Sequence, residues 1–160
     1  MKIHAIICTR SRDDISATTD RLINFLCRCE IGVYLVAGAK SLFSAYKGAY
    51  NKIAPGKDDI IIFCHDDIEI REKPEVFTKK LKELLNEPQV GFVGPAGTQR
   101  LGVDAVWWNM EHWQQGYHKG KVLHVDPQGK EYETVYGPPS DVVVLDGLFL
   151  AAKPKVIEDV

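Results

Sequence analysis

No apolar run in the chain approaches the length of a membrane span, so no spanning helix is expected. Net charge is nearly absent as well. A formal −2 excludes any general attraction to nucleic acid or to an anionic membrane surface. Cysteine is sparse and badly spaced for metal. Of Cys8, Cys27, Cys29 and Cys64, the pair Cys27-x-Cys29 lacks zinc-site spacing and has no second pair to join it. Cys8 and Cys64 fall in apolar, strand-like runs where a free thiol behaves as a small hydrophobe. The four are therefore read as reduced thiols of a cytoplasmic protein. His112 and His118 lack the i,i+4 helical spacing of a zinc site. There are no internal repeats and no low-complexity tracts, and residues 1–3 lead straight into a strand rather than a signal peptide. The chain has 160 residues, 45% hydrophobic and 26% charged, which is the balance of one soluble globular domain with a real core.

The most informative stretch is residues 57–70. Residues 60–64 (IIIFC) are an unbroken apolar run rich in β-branched and aromatic side chains. Such a run is too short for an independent helix and reads as a strand buried on both faces of a parallel sheet. It ends abruptly in His65-Asp66-Asp67. A strand of this kind delivers its last side chains to the carboxyl edge of the sheet, where open α/β folds bind ligands. Two adjacent carboxylates repel and are costly to desolvate, unless water, a metal or a ribose takes up their charge. Hard carboxylate oxygens suit Mg²⁺ or Mn²⁺, which usually share their shell with substrate phosphates. The plainer alternative is an acidic pair that opens a solvated loop.

The rest of the first half supplies the frame for that strand. Residues 3–8 read as a first strand, ending in the polar, basic loop Thr9-Arg10-Ser11-Arg12. Two arginines and two hydroxyls at a sheet crevice suit a diphosphate or a nucleobase, against the alternative of a solvated loop. Asp13, Asp14 or Ser16 can cap a helix whose apolar stripe is Ile15, Thr19, Leu22, Leu26 and Cys29. Residues 32–37 (GVYLVA) read as the second strand. Ser41 can cap a helix with Leu42, Tyr46, Ala49 and Ile53 on one stripe, stopped by Pro55-Gly56. Three strands and two helices alternating over about 65 residues argue for right-handed βαβ crossovers and a parallel sheet. A third helix starts near Pro74 with Phe77, Leu81, Leu84 and Leu85 inward, and residues 90–94 make a fourth strand broken at residues 95–97.

From residue 98 to 140 the alternation is lost. Trp107, Trp108 and Trp113 cluster with His112, Tyr117 and His118, and residues 122–125 and 132–136 flank the turn signal of residues 126–129 as a hairpin. A loop-rich insert on an α/β base is where a substrate pocket usually lies. Its aromatics can stack on a sugar or a base, or simply pack the insert. Residues 141–146 and 148–152 return to strand character. Gly147 between them suggests an unusual backbone angle or a close approach. Pro154 opens a helix, and the chain stops one turn later, as in a domain cut short.

The ordered set now resembles a known family. A first strand ending in Thr9-Arg10, Tyr50-Asn51 on a helix, the acidic pair after residues 60–64, and residues 144–151 (VLDGLFLA) are similar to glycosyltransferases of the GT-A fold, family 2. The likeness is greatest to the subgroup with a histidine before the acidic pair, and it spans residues 3–157. The resemblance implies a nucleotide-diphospho-sugar donor, a UDP-sugar first, a glycan or other hydroxyl acceptor, and a divalent metal, Mn²⁺ or Mg²⁺. It places Asp67 on the metal, Asp66 at the ribose, and Thr9, Arg10 and Arg12 at the nucleotide. Asp146 and Gly147 would line the donor-sugar and acceptor pocket, with Trp107 and Trp108 as stacking surfaces. Metal-held carboxylates fit the chemistry, because a sugar leaving a diphosphate needs its developing negative charge neutralised. Two positions depart from the family pattern. The acid that reads the base at the end of the second strand is replaced by Ala37-Gly38-Ala39. The family's general base lies on a later helix, beyond residue 160, so the resemblance implies that residues 1–160 bind donor but lack their own base; Asp146, the only other strand-end acid with a line to the pocket, precedes that base and is the sole catalytic candidate within the chain.

The expectation is a three-layer α/β/α nucleotide-binding, GT-A-like domain with a mostly parallel mixed sheet. Residues 1–97 form its nucleotide-binding βαβ part, and residues 98–160 an acceptor-side insert with returning strands. The expected function is metal-assisted, inverting transfer of a sugar from a nucleotide sugar to a hydroxyl, with no nucleic acid partner. A nucleotidyltransferase would need a glycine-rich basic loop after the first strand, and residues 9–14 contain no glycine. A non-catalytic nucleotide-sugar-binding or assembly domain would bind nucleotide without turnover. A receiver-like phosphorylation domain would need a matched aspartate and lysine, which the sequence does not offer.

Overall fold

The computed structural model describes residues 1–11, 13, 15–103, 105–126 and 128–159. The chain divides into two compact units, Met1–Val93 with Leu148–Val160, and Gly94–Gly147.

In the first unit, β1 (Ile3–Thr9), β2 (Gly32–Ala37) and β3 (Ile60–His65) are parallel, with β1 in the middle. The crossovers are α1 (Ala17–Arg28) and α2 (Leu42–Ile53), followed by α3 (Pro74–Asn86). The short β4 (Phe92–Val93) lies at the far edge of the sheet. The alternation of side chains along β1 and β3 explains the layers. Ile3, Ala5, Ile7, Ile60, Ile62 and Cys64 face Leu22, Phe25 and Leu26 of α1 and Leu81 and Leu85 of α3. Ile6, Ile61 and Phe63 face the other way, onto Tyr46, Ala49 and Tyr50 of α2. A strand covered on both faces has no polar side, which is why residues 60–64 read as a continuous apolar run. All five of those residues are buried.

Capping residues set the helix starts. Ser16 caps α1, and Ser41 caps α2 in a reciprocal box with Ser44. Pro74 begins α3, where its missing N–H costs nothing. Some expected stripe residues are more open than their spacing suggests. Ile15 precedes α1, Leu42 sits in the first turn of α2, and Leu84, expected inward, lies in the last turn of α3; all three are exposed.

The second unit carries β5 (Ala96–Thr98), α4 (Met110–Gln114), β6 (His118–Val125), β7 (Glu131–Gly137) and β8 (Val144–Leu145). Its sheet is wholly antiparallel in the order β7-β6-β5-β8. The expected hairpin is β6–β7, and Asp126 closes its turn by accepting from the N–H groups of Gln128 and Lys130. Residues 95–97, read as a strand break, instead hold a strand. Gly97 lets the Val144 carbonyl approach where a Cβ would stand. Gly120, at φ +94°, does the same for the Pro95 carbonyl. Residues 141–146 yield only the two-residue β8.

The chain re-enters the first sheet as β9 (Phe149–Ala152), antiparallel between β3 and β4, and α5 (Pro154–Glu158) follows. Ile157 of α5 packs on the α2 side, so helices cover both faces of a mixed five-stranded sheet. The result is a three-layer α/β/α arrangement. Among the described residues no helix is long and apolar enough to cross a membrane.

Candidate functional site

In the first unit, the carboxyl ends of three parallel strands lie side by side. Cys8 pairs with both Val36 and His65, and Thr9 with Ala37. The residues that follow are Thr9-Arg10 from β1, Gly38-Ala39 from β2, and Asp66-Asp67 from β3. This edge is the ligand-binding edge of open α/β sheets. The structure thus brings together Thr9, Arg10, Asp66 and Asp67. Arg12 lies outside the described residues.

The acidic turn is held from behind by α1. Thr19 is fully buried, and its hydroxyl donates to the Asp66 carbonyl at 2.9 Å. That hydroxyl has one proton, so Ser16 must donate in the 2.8 Å contact between the two oxygens. The Ser16 oxygen in turn accepts the Thr19 N–H at 3.1 Å, which is the helix cap itself. The cap of α1 and the main chain of the acidic turn therefore form one network. Further on, Arg21 reaches Glu69 at 2.6 Å, and Ile68 and Ile70 turn into the core. Ser16 was legible as one possible cap. The Thr19 link, 47 residues away in sequence, had no local signal.

This bracing leaves Asp67 pointing outward. Its side chain is 80% exposed, and its Oδ1 is 4.0 Å from Nδ1 of His65. Asp66 is half-buried. The nearby thiols are of another character. Burial, and after it the neighbouring Cys8 and then Asp66, push the Cys64 thiol up to about 12. Burial raises Cys8 as well, ahead of Asp66. Both remain protonated at neutral pH, so they do not compete as soft ligands, and the hard carboxylate oxygens are left to meet a cation. Among the described residues no group of three His, Cys, Asp or Glu side chains closes around a metal-sized site. The donor set fits a cation that arrives with phosphate and water oxygens in its shell, as Mg²⁺ usually does, rather than one sealed in a protein cage.

Arg10, Ser11, Gly38 and Ala39 stand at one end of a cleft of about 940 Å³ that continues between β2 and α2. Thr9, just before Arg10 in the chain, is fixed by two hydrogen bonds. Its carbonyl accepts from the Gly38 N–H, and its hydroxyl donates to the Ser11 carbonyl at 3.3 Å.

The second unit holds the remaining candidates. Trp107 is 8% exposed and packs edge-on against Trp108, His118 and Tyr136, so most of its surface is spent on packing. Trp108 is 64% exposed, and its ring remains open to a ligand. At the centre is His118, which is 1% exposed and ringed by Trp107, Trp113 and Tyr136. Burial pushes its imidazole below the ordinary value, with the Trp107 main chain opposing in part. Asp146 follows β8, and its N–H donates to the Ala96 carbonyl at 2.9 Å. Burial, and after it the Asp146 carboxylate, raise the Tyr136 phenol. Gly147 shows neither feature expected of it. Its φ is not left-handed, and a Cβ there would meet nothing within 4 Å.

Three comparisons bear on this arrangement. Residues 7–157 match the model of a family described as "Glycosyltransferase like family". The streptomycin biosynthesis protein StrF of Streptomyces griseus is 26% identical over 132 residues, 80% of this chain. The chain spans 42% of the length of that relative. The crystal structure of A197 from STIV superposes on the whole chain with a TM-score of 0.54 at 14% identity, over 69% of its own length, a likeness of fold alone. With the family match running from the first strand through the acidic turn to the last helix, the chain belongs to the glycosyltransferase-like family.

Proposed function

We propose that the chain takes part in transfer of a sugar from a nucleotide-diphospho-sugar to an acceptor hydroxyl, with a divalent cation, Mn²⁺ or Mg²⁺, at Asp67. The observation that carries this reading is the outward carboxylate of Asp67 beside Asp66, on a braced turn at the shared carboxyl edge of β1, β2 and β3. Asp67 is the carboxylate that would hold the cation, and a cation there would supply positive charge to a departing diphosphate. Asp66 accepts hydrogen bonds from the ribose hydroxyls. Arg10, with its planar fork of donors, and Thr9 face the nucleotide across the rim of the cleft. Small residues at positions 37–39 leave the base without an acidic partner on β2, so base selection falls to the main chain and to Arg10.

Taken by itself, the second unit offers the exposed ring of Trp108 as a stacking face for a sugar, and the general base is expected outside residues 1–160. StrF belongs by its name to streptomycin biosynthesis, but its acceptor is not carried over to this chain.

The test is a thermal-shift panel of nucleoside diphosphates, UDP first, each with and without Mn²⁺. A ligand that binds only the folded state raises stability by about 2.7 kcal/mol at a hundred times its dissociation constant. One nucleoside diphosphate should raise the melting temperature, and only when Mn²⁺ is present. No response to any diphosphate, with or without the cation, would contradict the reading. A response equally strong without cation would remove Asp67 from the metal role.

A further inference from the structure

The first turn of α1 carries one hydroxyl more than its cap requires. Ser16 completes the cap by accepting the Thr19 N–H at 3.1 Å, and that bond needs no hydroxyl on residue 19. Thr19 is wholly inaccessible to solvent. A buried hydroxyl is costly unless it is hydrogen-bonded, and valine has nearly the same shape without one. The Thr19 hydroxyl is explained by what it touches. It lies 2.8 Å from the Ser16 oxygen and 2.9 Å from the Asp66 carbonyl.

Counting protons fixes the direction of these bonds. A carbonyl only accepts, so the single proton of Thr19 is committed to Asp66, and Ser16 donates its own to Thr19. The donors run one way, from Ser16 through Thr19 to Asp66. The Asp66 carbonyl belongs to the peptide unit that joins Asp66 to Asp67. That unit is planar, so holding its oxygen orients the plane whose two ends are the α-carbons of both acids. The flanks of the turn are held as well. The His65 N–H donates to the Leu148 carbonyl at 3.0 Å, and Glu69 accepts from Nε of Arg21 at 2.6 Å. Thr19 and Arg21 both belong to α1, so one helix holds the turn at two points, with the exposed Asp67 between them.

We propose that Ser16 and Thr19 are positioning residues. Their hydroxyls set the peptide plane from which Asp66 and Asp67 project, and with it the direction of the two carboxylates toward cation and ribose. What the carboxylates hold rests on the function proposed above; how they are held does not. Both hydroxyls act through the main chain of the turn. Groups that orient metal ligands from behind are commonly worth about 10–100-fold in metal affinity.

Three variants separate the hydroxyls from the fold. Thr19→Val removes the donor and keeps the shape. Thr19→Ser keeps the donor and loses a methyl. Ser16→Asp keeps the cap, since a carboxylate accepts the Thr19 N–H, but it has no proton to give. Thr19 then turns its one proton to the new carboxylate and releases Asp66. Backbone NMR of the unliganded chain reads the turn. The order parameter of the Asp67 amide should fall from about 0.85 to below about 0.6 in Thr19→Val and Ser16→Asp, and stay high in Thr19→Ser. Titration with Mn²⁺ and the nucleoside diphosphate that the thermal-shift panel selects, UDP first, reads the site. Thr19→Val and Ser16→Asp should bind about tenfold more weakly, and Thr19→Ser within about twofold of the native chain. Cooperative melting retained in all three excludes a lost fold. An Asp67 amide as rigid in Thr19→Val as in the native chain would overturn the inference, whether or not any nucleotide binds. A loosened turn with unchanged Mn²⁺-dependent affinity would overturn it too. So would an equal loss in Thr19→Ser, which would assign the effect to packing of the methyl. A native chain that binds no diphosphate would contradict the proposed function alone, and the NMR comparison would then decide the inference by itself.

Discussion

The two sheets of this molecule are stabilised in different ways. The five-stranded sheet buries aliphatic side chains on both faces under four helices, and its central strands β1 and β3 are almost wholly inaccessible. The four-stranded sheet has a small aromatic centre around His118, while Leu123, Val125, Tyr132 and Val135 of its hairpin stay exposed. The first arrangement is suited to holding a strand end rigidly, because closely packed strands fix where their last residues point. The second leaves a Trp face and a hairpin open.

Truncating a side chain in each sheet should break or sharpen the contrast. Ile62→Ala, at a fully buried position, should cost about 2–5 kcal/mol of unfolding free energy. Leu123→Ala, at a position 37% exposed, should cost about 1 kcal/mol or less. Denaturant unfolding followed by circular dichroism measures both, and comparable losses would remove the distinction.

A smaller effect comes from His118. Its folded value lies below the ordinary value of about 6.5, so the unfolded chain binds the proton first as pH falls. Stability from this group is complete above about 6.5 and is lost as pH falls through that value toward the folded one. All three tryptophans lie in the second unit, so their emission reports on this region. Unfolding followed by tryptophan emission should show falling stability below about pH 6.5, and His118→Gln should flatten the dependence. An unchanged slope in the variant would assign it to other groups.

What the sequence made legible follows the same division. The double-sided burial of residues 60–64 and the helical stripes of α1 to α3 gave a periodic pattern, so the layers and the strand-end acids could be placed from residue types alone. The antiparallel entry of β9 left no such trace, since residues 149–152 read as a strand whichever way they run. The brace from Thr19 to Asp66 is a tertiary contact between a helix cap and a distant turn, and no local pattern encodes it. In the second unit the tryptophans were visible as a cluster. Which of them packs and which stays open was not, because Trp107 and Trp108 are neighbours with no period to separate them. Gly97 and Gly120 were the overlooked signals there. Each marks a strand crossing that admits no side chain.

The central claim is that Asp67 holds the cation bound with the donor's diphosphate. Isothermal titration of the nucleoside diphosphate selected by the panel, with Mn²⁺, should be run on the native chain and on Asp67→Asn. The account predicts affinity at least about tenfold weaker in the variant, about 1.4 kcal/mol, with an unchanged melting temperature for the unliganded protein, since the side chain is 80% exposed. Equal Mn²⁺-dependent affinity in the two proteins would contradict it.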